Sequence, residues 1–510
     1  MSPLDPRLSY RALQSRDARF DGRFFVGVTS TRIYCRPICP ATTPREDRCR
    51  FFASAAAAER RGFRPCLRCR PELAPGDGGT LTGAPASVDA VATLARTAAA
   101  RITAGALDGG TVAELAAALG VSDRHLRRAV DRELGASPSE LAQTRRLLTA
   151  KQLLTDTSLS MTRVAQAAGF SSLRRFNALF QQRYRLAPSA LRRSMQGAVD
   201  ASALASGESI TLTVAYRPPY DWEAMLGYFA LRATAGVEWV TTTAYWRTIS
   251  LGGVIGAVRI GPSDGARRRQ ALQITLTASL LPVLVPLLAR LRRLLDLDGE
   301  PQTIAAHLAQ DAMIGRSINR RPGLRVPGAF DGTELAVRTV LGQQVSVRGA
   351  NTLAARLVQQ LATPLPPALR SQLPEALTHL SVSAAQLVAA GAEQVAAIGM
   401  PRARATALVG IADAVQRGGL PELVDGWSAD PEATIRRLRA LPGIGDWTAH
   451  YIAMRALRWP DAFPDGDLVL RQSAGGVTAR QLRALAESWR PWRAYAAQHL
   501  WSQAGTTHEE

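Results

Sequence analysis

Hydrophobic positions recur every three or four residues along most of this chain, and the exceptions mark where it changes character. From Val88 to about Met195, Ala, Leu and Arg keep helical spacing, and the same period returns from about Leu280 to the end. Between these regions, "SITLTVAY" (Ser209 to Tyr216) and "LQITLTAS" (Leu272 to Ser279) alternate apolar residues with Thr and Gln, the period of half-buried antiparallel strands. A shorter strand pattern, "RFFVGV", lies near the N-terminus. Gly/Pro/Ser-rich stretches at Ala74 to Ser87 and Gly197 to Glu208 predict linkers, and Gly/Pro turns at "IGMP" (Ile398 to Pro401) and "LPGIG" (Leu441 to Gly445) interrupt the second helical region.

The first helical region repeats itself. Leu115-Ala116 matches Val164-Ala165 at an offset of 49, whereas Leu126, Val130, Leu134, Pro138 and Leu141 match Phe176, Phe180, Tyr184, Pro188 and Leu191 at an offset of 50. One extra residue therefore sits in the turn of the second copy. Each copy predicts a helix, a Gly turn and an Arg-bearing second helix with a Ser near its start to cap it. Arg124, His125, Arg127 and Arg128 fall on the first such helix, and Arg174, Arg175 and Asn177 on the second, where they can reach phosphates and base edges.

Composition adds a partner to this picture. The 510 residues exceed what one core serves, so three or four domains are expected. The 62 Lys+Arg against 42 Asp+Glu leave a formal charge of +20, carried almost wholly by Arg, which points to a polyanionic partner such as nucleic acid or an anionic membrane surface. The polar N-terminus lacks a signal-peptide pattern, and the most apolar stretch, from Ser279, reaches Arg290 too soon to span a bilayer. These features predict a cytoplasmic protein with no membrane segment.

All five cysteines lie between Cys35 and Cys69. Cys35-x3-Cys39 and Cys66-x2-Cys69 are two close pairs split by one loop, the spacing by which two turns deliver four thiolates to a tetrahedral zinc ion. Cys49 has no partner. No cysteine follows Cys69, so an iron–sulfur cluster is not expected.

The segments "IYCRPIC", "REDRCRFF" and "GFRPCLRCRPE" resemble the N-terminal domain of the Ada family, which repairs methylphosphotriesters in DNA. The resemblance implies one zinc ion on Cys35, Cys39, Cys66 and Cys69, with Cys35 also the methyl acceptor; "PATTP" after the second cysteine departs from the family pattern. Methylation would remove one negative charge from a surface facing phosphates and raise DNA affinity. The repeated segment, with its longer second turn and "P-S-x-L" endings, resembles the AraC-type double helix-turn-helix, which implies promoter DNA and RNA polymerase as partners.

In the C-terminal half, Gly443 and Gly445 of "LRALPGIGDWTAHYIAMRAL" allow main-chain N–H groups to hold a DNA phosphate. The acidic "FPDGDLVLRQ" follows. Together with "PPYDWEAMLGYFALRA", "RPGLRVPGAFDGTELAVRTVLGQQVSV", "IGMPRARATAL" and "WRPWRAYAAQHLW", these motifs resemble the AlkA-type 3-methyladenine glycosylases of the helix-hairpin-helix class. The resemblance implies that Asp467, with Asp465 as its rival, stabilises the oxocarbenium ion formed as the N-glycosidic bond breaks. It implies that Tyr228, Trp447, Tyr451 and Trp501 line the base pocket and that Gln344 is the wedge filling the gap left by the flipped base. Trp447 stands where lyase-competent relatives carry a lysine, so a monofunctional enzyme is expected; Leu468 replaces a family tyrosine.

The expected architecture is multidomain and mainly α. It comprises a small zinc-bound α+β domain (1–78), an AraC-type double helix-turn-helix (88–195), an antiparallel α+β AlkA-type N-terminal domain (208–295) and an all-α helix-hairpin-helix glycosylase domain (296–510). The expected protein is bacterial and nucleoid-associated, binds double-stranded DNA, and both senses and repairs alkylation. The alternative is a methylation-sensing regulator whose glycosylase half only binds DNA.

Overall fold

The computed structural model describes residues 5–76, 90–195, 209–263 and 270–506; the expected linker Gly197 to Glu208 and most of Ala74 to Ser87 lie outside the described residues. The chain gathers into two compact units. One is built from Met1–Thr80, Ala86–Pro218 and Ser263–Ala289, and the other from Pro219–Pro262 and Arg290–Glu510.

In the first unit "RFFVGV" supplies Phe25–Val28, an inner strand of a four-stranded sheet ordered Cys49–Phe52, Phe25–Val28, Ile33–Cys35, Arg64–Pro65. Val26 lies opposite Cys35 in the antiparallel pair. The last strand runs parallel to Ile33–Cys35, so the chain emerges beside Cys35, and the Cys66 N–H donates to Tyr34 O at 3.0 Å. Gly27 permits this layer to close: a Cβ there would stand 2.7 Å from Phe52 Cε2 and 2.9 Å from Phe63 Cε1.

The repeat becomes two helix-turn-helix units. Val112–Ala118 and Asp123–Leu134 form the first, Met161–Ala167 and Leu173–Tyr184 the second. Both second helices begin at the expected serine caps, Ser122 accepting from the His125 N–H and Ser172 from the Arg175 N–H. Leu126, Val130, Phe176 and Phe180 are buried, as the repeat requires. The long helix Pro138–Asp156 joins the two units.

That joining helix also carries the cysteine-bearing sheet. Lys151, the only lysine in the chain, is buried against Glu72, whose carboxylate also accepts from Arg70 Nε at 2.9 Å. Arg70 reaches Asp156 at 2.8 Å and donates to Thr155 Oγ1 at 2.9 Å. Glu59 accepts hydrogen bonds from Tyr34 (3.1 Å) and Thr144 (2.8 Å), so one carboxylate bridges the sheet and the joining helix. The strands Ser209–Ala215 and Ala271–Thr277 pair antiparallel, Leu212 opposite Ile274. Here the half-buried expectation needs correction at Thr213, which is buried. Gln152 Nε2 donates to its carbonyl at 2.7 Å, because the joining helix covers that strand.

The second unit contains three strands that the alternation did not announce: Glu238–Val240, Tyr245–Leu251 and Val254–Pro262, paired antiparallel in sequence. The rest is helical around one apolar cluster that includes Leu387, Leu408, Ile411, Leu438, Ile452, Leu470 and Leu500. "IGMP" and "LPGIG" both form turns between helices, Ala384–Ala396 to Arg402–Gln416 and Pro431–Arg439 to Asp446–Arg455. Among the described residues no helix is long and apolar enough to cross a membrane.

Two outcomes follow from the buried charges of the first unit. Lys151→Met strands Glu72 with only Arg70 and is expected to cost about 3 kcal/mol. Lys151→Arg, too bulky for the site, recovers little; urea unfolding, with hydrogen exchange along Pro138–Asp156, measures both. Burial raises Glu59 to about 7, against lowering by Thr144 and Tyr34. A carboxyl with a raised folded pKa stabilises the fold at low pH, and that contribution is lost as pH rises from about 4.5 through about 7. Stability of the first unit should therefore fall across that window and flatten above it, and Glu59→Gln should remove the fall.

Candidate active site and metal centre

The first candidate site is the cysteine cluster. The Sγ atoms of Cys35, Cys39, Cys66 and Cys69 all lie within 4.8 Å of one another, and four thiolates bound at about 2.3 Å to one tetrahedral ion need separations of roughly 3.8 Å. The donor set fits zinc. The turn from Cys35 to Cys39 closes through the Cys39 N–H to Arg36 O (3.1 Å), and the Arg36 N–H donates to Cys69 Sγ at 3.3 Å. The Arg36 guanidinium is turned away into a buried pair with Asp21 and also donates to Cys69 O. Asp21 is itself braced, its carbonyl accepting from Arg217 Nε at 3.1 Å. Cys35 is the least buried of the four thiols. Cys49 lies outside the cluster, and burial raises its thiol pKa, aided by Asp47 and Glu46, so it is poorly nucleophilic.

On the helix-turn-helix units, Arg124, His125, Arg127, Arg128, Arg174, Arg175 and Asn177 are all exposed. Arg127 is held by Asp123 one turn earlier, at 2.9 Å.

The second candidate site lies wholly in the second unit. Asp467 caps the helix Leu468–Ser473, and its Oδ1 accepts from the Leu470 N–H at 2.9 Å. Trp447 Nε1 donates to Oδ2 at 2.8 Å and Trp501 Nε1 to Oδ1 at 3.1 Å. Three neutral donors thus orient a half-buried carboxylate. Asp465 is instead paired with Arg483. Trp447 stacks on Tyr451, centroids 5.2 Å apart and planes 15° apart, and Trp501 meets Tyr451 edge-on at 6.1 Å. Tyr228 completes the cluster by a hydroxyl contact of 3.2 Å with Tyr451. The four expected aromatics and Asp467 therefore form one continuous cluster.

Gln344 is exposed on the loop after Gly332–Leu341 and holds a left-handed φ of 56°. Its neighbour Gln343, absent from the sequence expectations, donates to Gly443 O and Thr448 Oγ1, both at 3.0 Å, and so ties that loop to the glycine hairpin. Gly443 has φ 80°, and a Cβ there would stand 2.8 Å from Ala407 Cβ. Gly445 caps Asp446–Arg455 without a side-chain acceptor, leaving the first amides of that helix available to an anion.

Sequence reasoning also missed Arg455 and Arg232. The Arg455 guanidinium carbon lies 4.6, 4.9 and 5.5 Å from the ring centroids of Tyr228, Tyr451 and Trp501, and that of Arg232 lies 4.4 Å from the Tyr228 centroid. The available signal was spacing: Trp447, Tyr451 and Arg455 are four residues apart on one helix.

Comparison with known proteins finds relatives of both halves of the chain. The pattern described as "Metal binding domain of Ada" matches residues 9–72, "Helix-turn-helix domain" matches 115–194 and "AlkA N-terminal domain" matches 211–331. The "Probable bifunctional transcriptional activator/DNA repair enzyme AlkA" of Mycobacterium tuberculosis is 39% identical over 97% of this chain and 95% of its own length. "DNA-3-methyladenine glycosylase 2" of Escherichia coli is 38% identical over 58% of this chain and 99% of its own. The Escherichia coli "Bifunctional transcriptional activator/DNA repair enzyme Ada" is 42% identical over 65 residues, 13% of this chain and 18% of its own. Near-complete coverage of one relative, together with separate matches to an Ada protein and a glycosylase, shows that this chain belongs to the family of bifunctional transcriptional activator/DNA repair enzymes that join Ada-type zinc-binding and helix-turn-helix domains to an AlkA-type DNA glycosylase.

Proposed function

We propose that the glycosylase reaction runs at Asp467 and that Cys35 is a single-use methyl acceptor. The observation that carries the first assignment is the three-donor cradle around Asp467, which fixes the carboxyl group where positive charge develops on the deoxyribose. The base flips onto Tyr228, Trp447, Tyr451 and Trp501, whose faces suit a cationic alkylpurine. Gln344 enters the vacated stack, and the amides after Gly443 and Gly445 hold a neighbouring phosphate. The enzyme is monofunctional, because Trp447 stands where lyase-competent relatives carry a Schiff-base lysine and the glycosylase half contains no lysine. The work is divided among modules 1–78, 88–195, 208–295 and 296–510.

At the other site, Cys35, Cys39, Cys66 and Cys69 would hold one zinc ion, which when bound keeps the thiolates deprotonated. The Cys35 sulfur attacks the methyl carbon of a methylphosphotriester. An S–CH3 bond forms, the C–O bond breaks, and its electron pair stays on the phosphate oxygen, restoring an anionic diester. Cys35 loses one negative charge, so repulsion from DNA phosphate falls and the protein binds promoter DNA more tightly through Arg124, Arg127, Arg128, Arg174, Arg175 and Asn177. Contact with RNA polymerase then completes activation, and the DNA partners place the protein at the nucleoid. With the four clustered cysteines given to zinc and no cysteine after Cys69, the glycosylase half has no thiolate set for an iron–sulfur cluster.

Release of 3-methyladenine and 7-methylguanine from methylated duplex tests the glycosylase assignment. Asp467→Asn is expected to lower release by at least a hundredfold with DNA binding retained, and Asp465→Asn to leave it nearly unchanged. Absence of release by the wild type would favour a regulator that only binds DNA. For the zinc domain, Cys66→Ser is expected to lose bound zinc by elemental analysis and Cys49→Ser to keep it. Mass spectrometry after incubation with methylated DNA should place one added methyl on Cys35 and none in Cys35→Ala.

A further inference from the structure

The pocket that receives a cationic base has two cations in its wall. Arg455 is 1% exposed, donates to Pro327 O at 2.9 Å and Gln498 Oε1 at 3.2 Å, and has a buried Nε without a hydrogen-bond partner. Neither Arg455 nor Arg232 is ion-paired among the described residues, yet both guanidinium carbons lie within 4.6 Å of the Tyr228 ring centroid. The opposite charge sits on Asp467, linked to the same rings through the indoles of Trp447 and Trp501. Holding one buried and one half-buried guanidinium group without a carboxylate partner is costly, and packing alone would be served as well by apolar residues of similar length. Burial pushes the Tyr228 phenol up to about 12 although both arginines lower it, whereas at Tyr451 the two arginines and the hydrogen bond with Tyr228 outweigh burial and hold the phenol below the ordinary tyrosine value.

We propose that Arg455 and Arg232 are positioning residues for the leaving base, setting through the rings of Tyr228 and Tyr451 a positive potential that draws electrons onto the base as the N-glycosidic bond breaks. The inference rests on Asp467 as the catalytic carboxylate. When the C1′–N bond breaks, its electron pair goes to the ring nitrogen and the sugar becomes an oxocarbenium ion. Water then adds at C1′. For a cationic base the products are the neutral base, the C1′ hydroxyl and a proton released to solvent; for a neutral base the water proton ends on the base. In both cases the base gains one unit of negative charge beside the arginines while positive charge forms beside Asp467. The gradient thus runs the way the electrons move.

Separate consequences follow for binding and for chemistry. The change in base charge is the same for both substrate classes, so the positive wall speeds cleavage of both. Only a cationic base is repelled on entry. Removing one guanidinium should slow the chemical step for both substrates and tighten binding of the cationic one alone, a split that a merely damaged fold does not produce.

The test is single-turnover excision by the full chain, with saturating enzyme, from duplexes carrying one 7-methylguanine or one deoxyinosine. The proteins are wild type, Arg455→Met, Arg455→Lys, Arg232→Met and Asp467→Asn. Arg455→Met and Arg232→Met are expected to lower the saturated rate on the order of tenfold for both bases, while the half-saturating concentration falls for 7-methylguanine and stays level for deoxyinosine. Arg455→Lys restores most of the rate. Arg232→Met, at a half-buried position on the helix Trp222–Arg232, answers the question if Arg455→Met fails to fold. Unchanged saturated rates, equal shifts in half-saturation for the two bases, or wild-type release of 7-methylguanine alone would overturn the inference. Loss of all release in the wild type, or full activity in Asp467→Asn, would instead overturn the active-site assignment beneath it.

Discussion

The second unit depends on one carboxylate held, among the described residues, without a counter-ion. Asp467 begins a helix, so part of its charge is answered by the backbone amide of Leu470, and the remainder by two indole N–H groups from distant segments. Those hydrogen bonds fix more than the acid. They set the planes of Trp447 and Trp501, and through them the stacking of Tyr451 and the depth at which Tyr228 closes the cluster. An arginine in place of either indole would neutralise the charge; neutral donors orient it and leave it whole.

The first unit solves a different problem, which is how to fasten a small sheet to a DNA-binding helix pair. The sheet is too small to bury a large core, so polar contacts supplement its aromatic layer. Glu72, Arg70, Lys151 and Asp156 form a buried network to the joining helix, and Glu59 forms a second bridge through Thr144. Directional bonds fix register as apolar contact does not. A change at Cys35 is therefore made on a body continuous with the helix between the two DNA-reading units, since Tyr34, the next residue back, is bonded to Glu59.

Much of this was legible from sequence, for identifiable reasons. The helix-turn-helix pair was visible because its buried residues repeat at a fixed offset, and the extra residue in the second turn survives as Ala168 to Ser172 between helices, against Leu119 to Ser122 in the first. The cysteine cluster was visible because metal ligands must come in close pairs. The strands at 238–262 were not, because in Tyr245–Leu251 three consecutive residues, Arg247, Thr248 and Ile249, are buried, which erases alternation. Arg247 is buried by its pairing with Glu334. Thr213 failed for a related reason, its outward face being covered by Gln152. Arg455 was missed because periodicity assigns a buried helix position to the core; its spacing put Tyr451 one turn back, but nothing local says that Tyr228 and Trp501 meet it as well.

Both candidate sites obey one electrostatic rule. A chain with a formal charge of +20 must approach DNA through arginine and still keep anionic reactive groups free of it. At the thiolates Arg36 turns its guanidinium to Asp21 and the Cys69 carbonyl and presents only its backbone N–H to the Cys69 sulfur. At Asp467 the hydrogen-bonding groups are indoles and an amide, while the buried arginines stand behind aromatic rings. In each case the cation is kept from direct contact with the anion by a neutral group, which lets its field act without quenching the charge on which the proposed chemistry rests. The abundance of arginine elsewhere then serves the polyanionic substrate, and the separation of cation from reactive anion is the constraint that both halves of this fused chain satisfy.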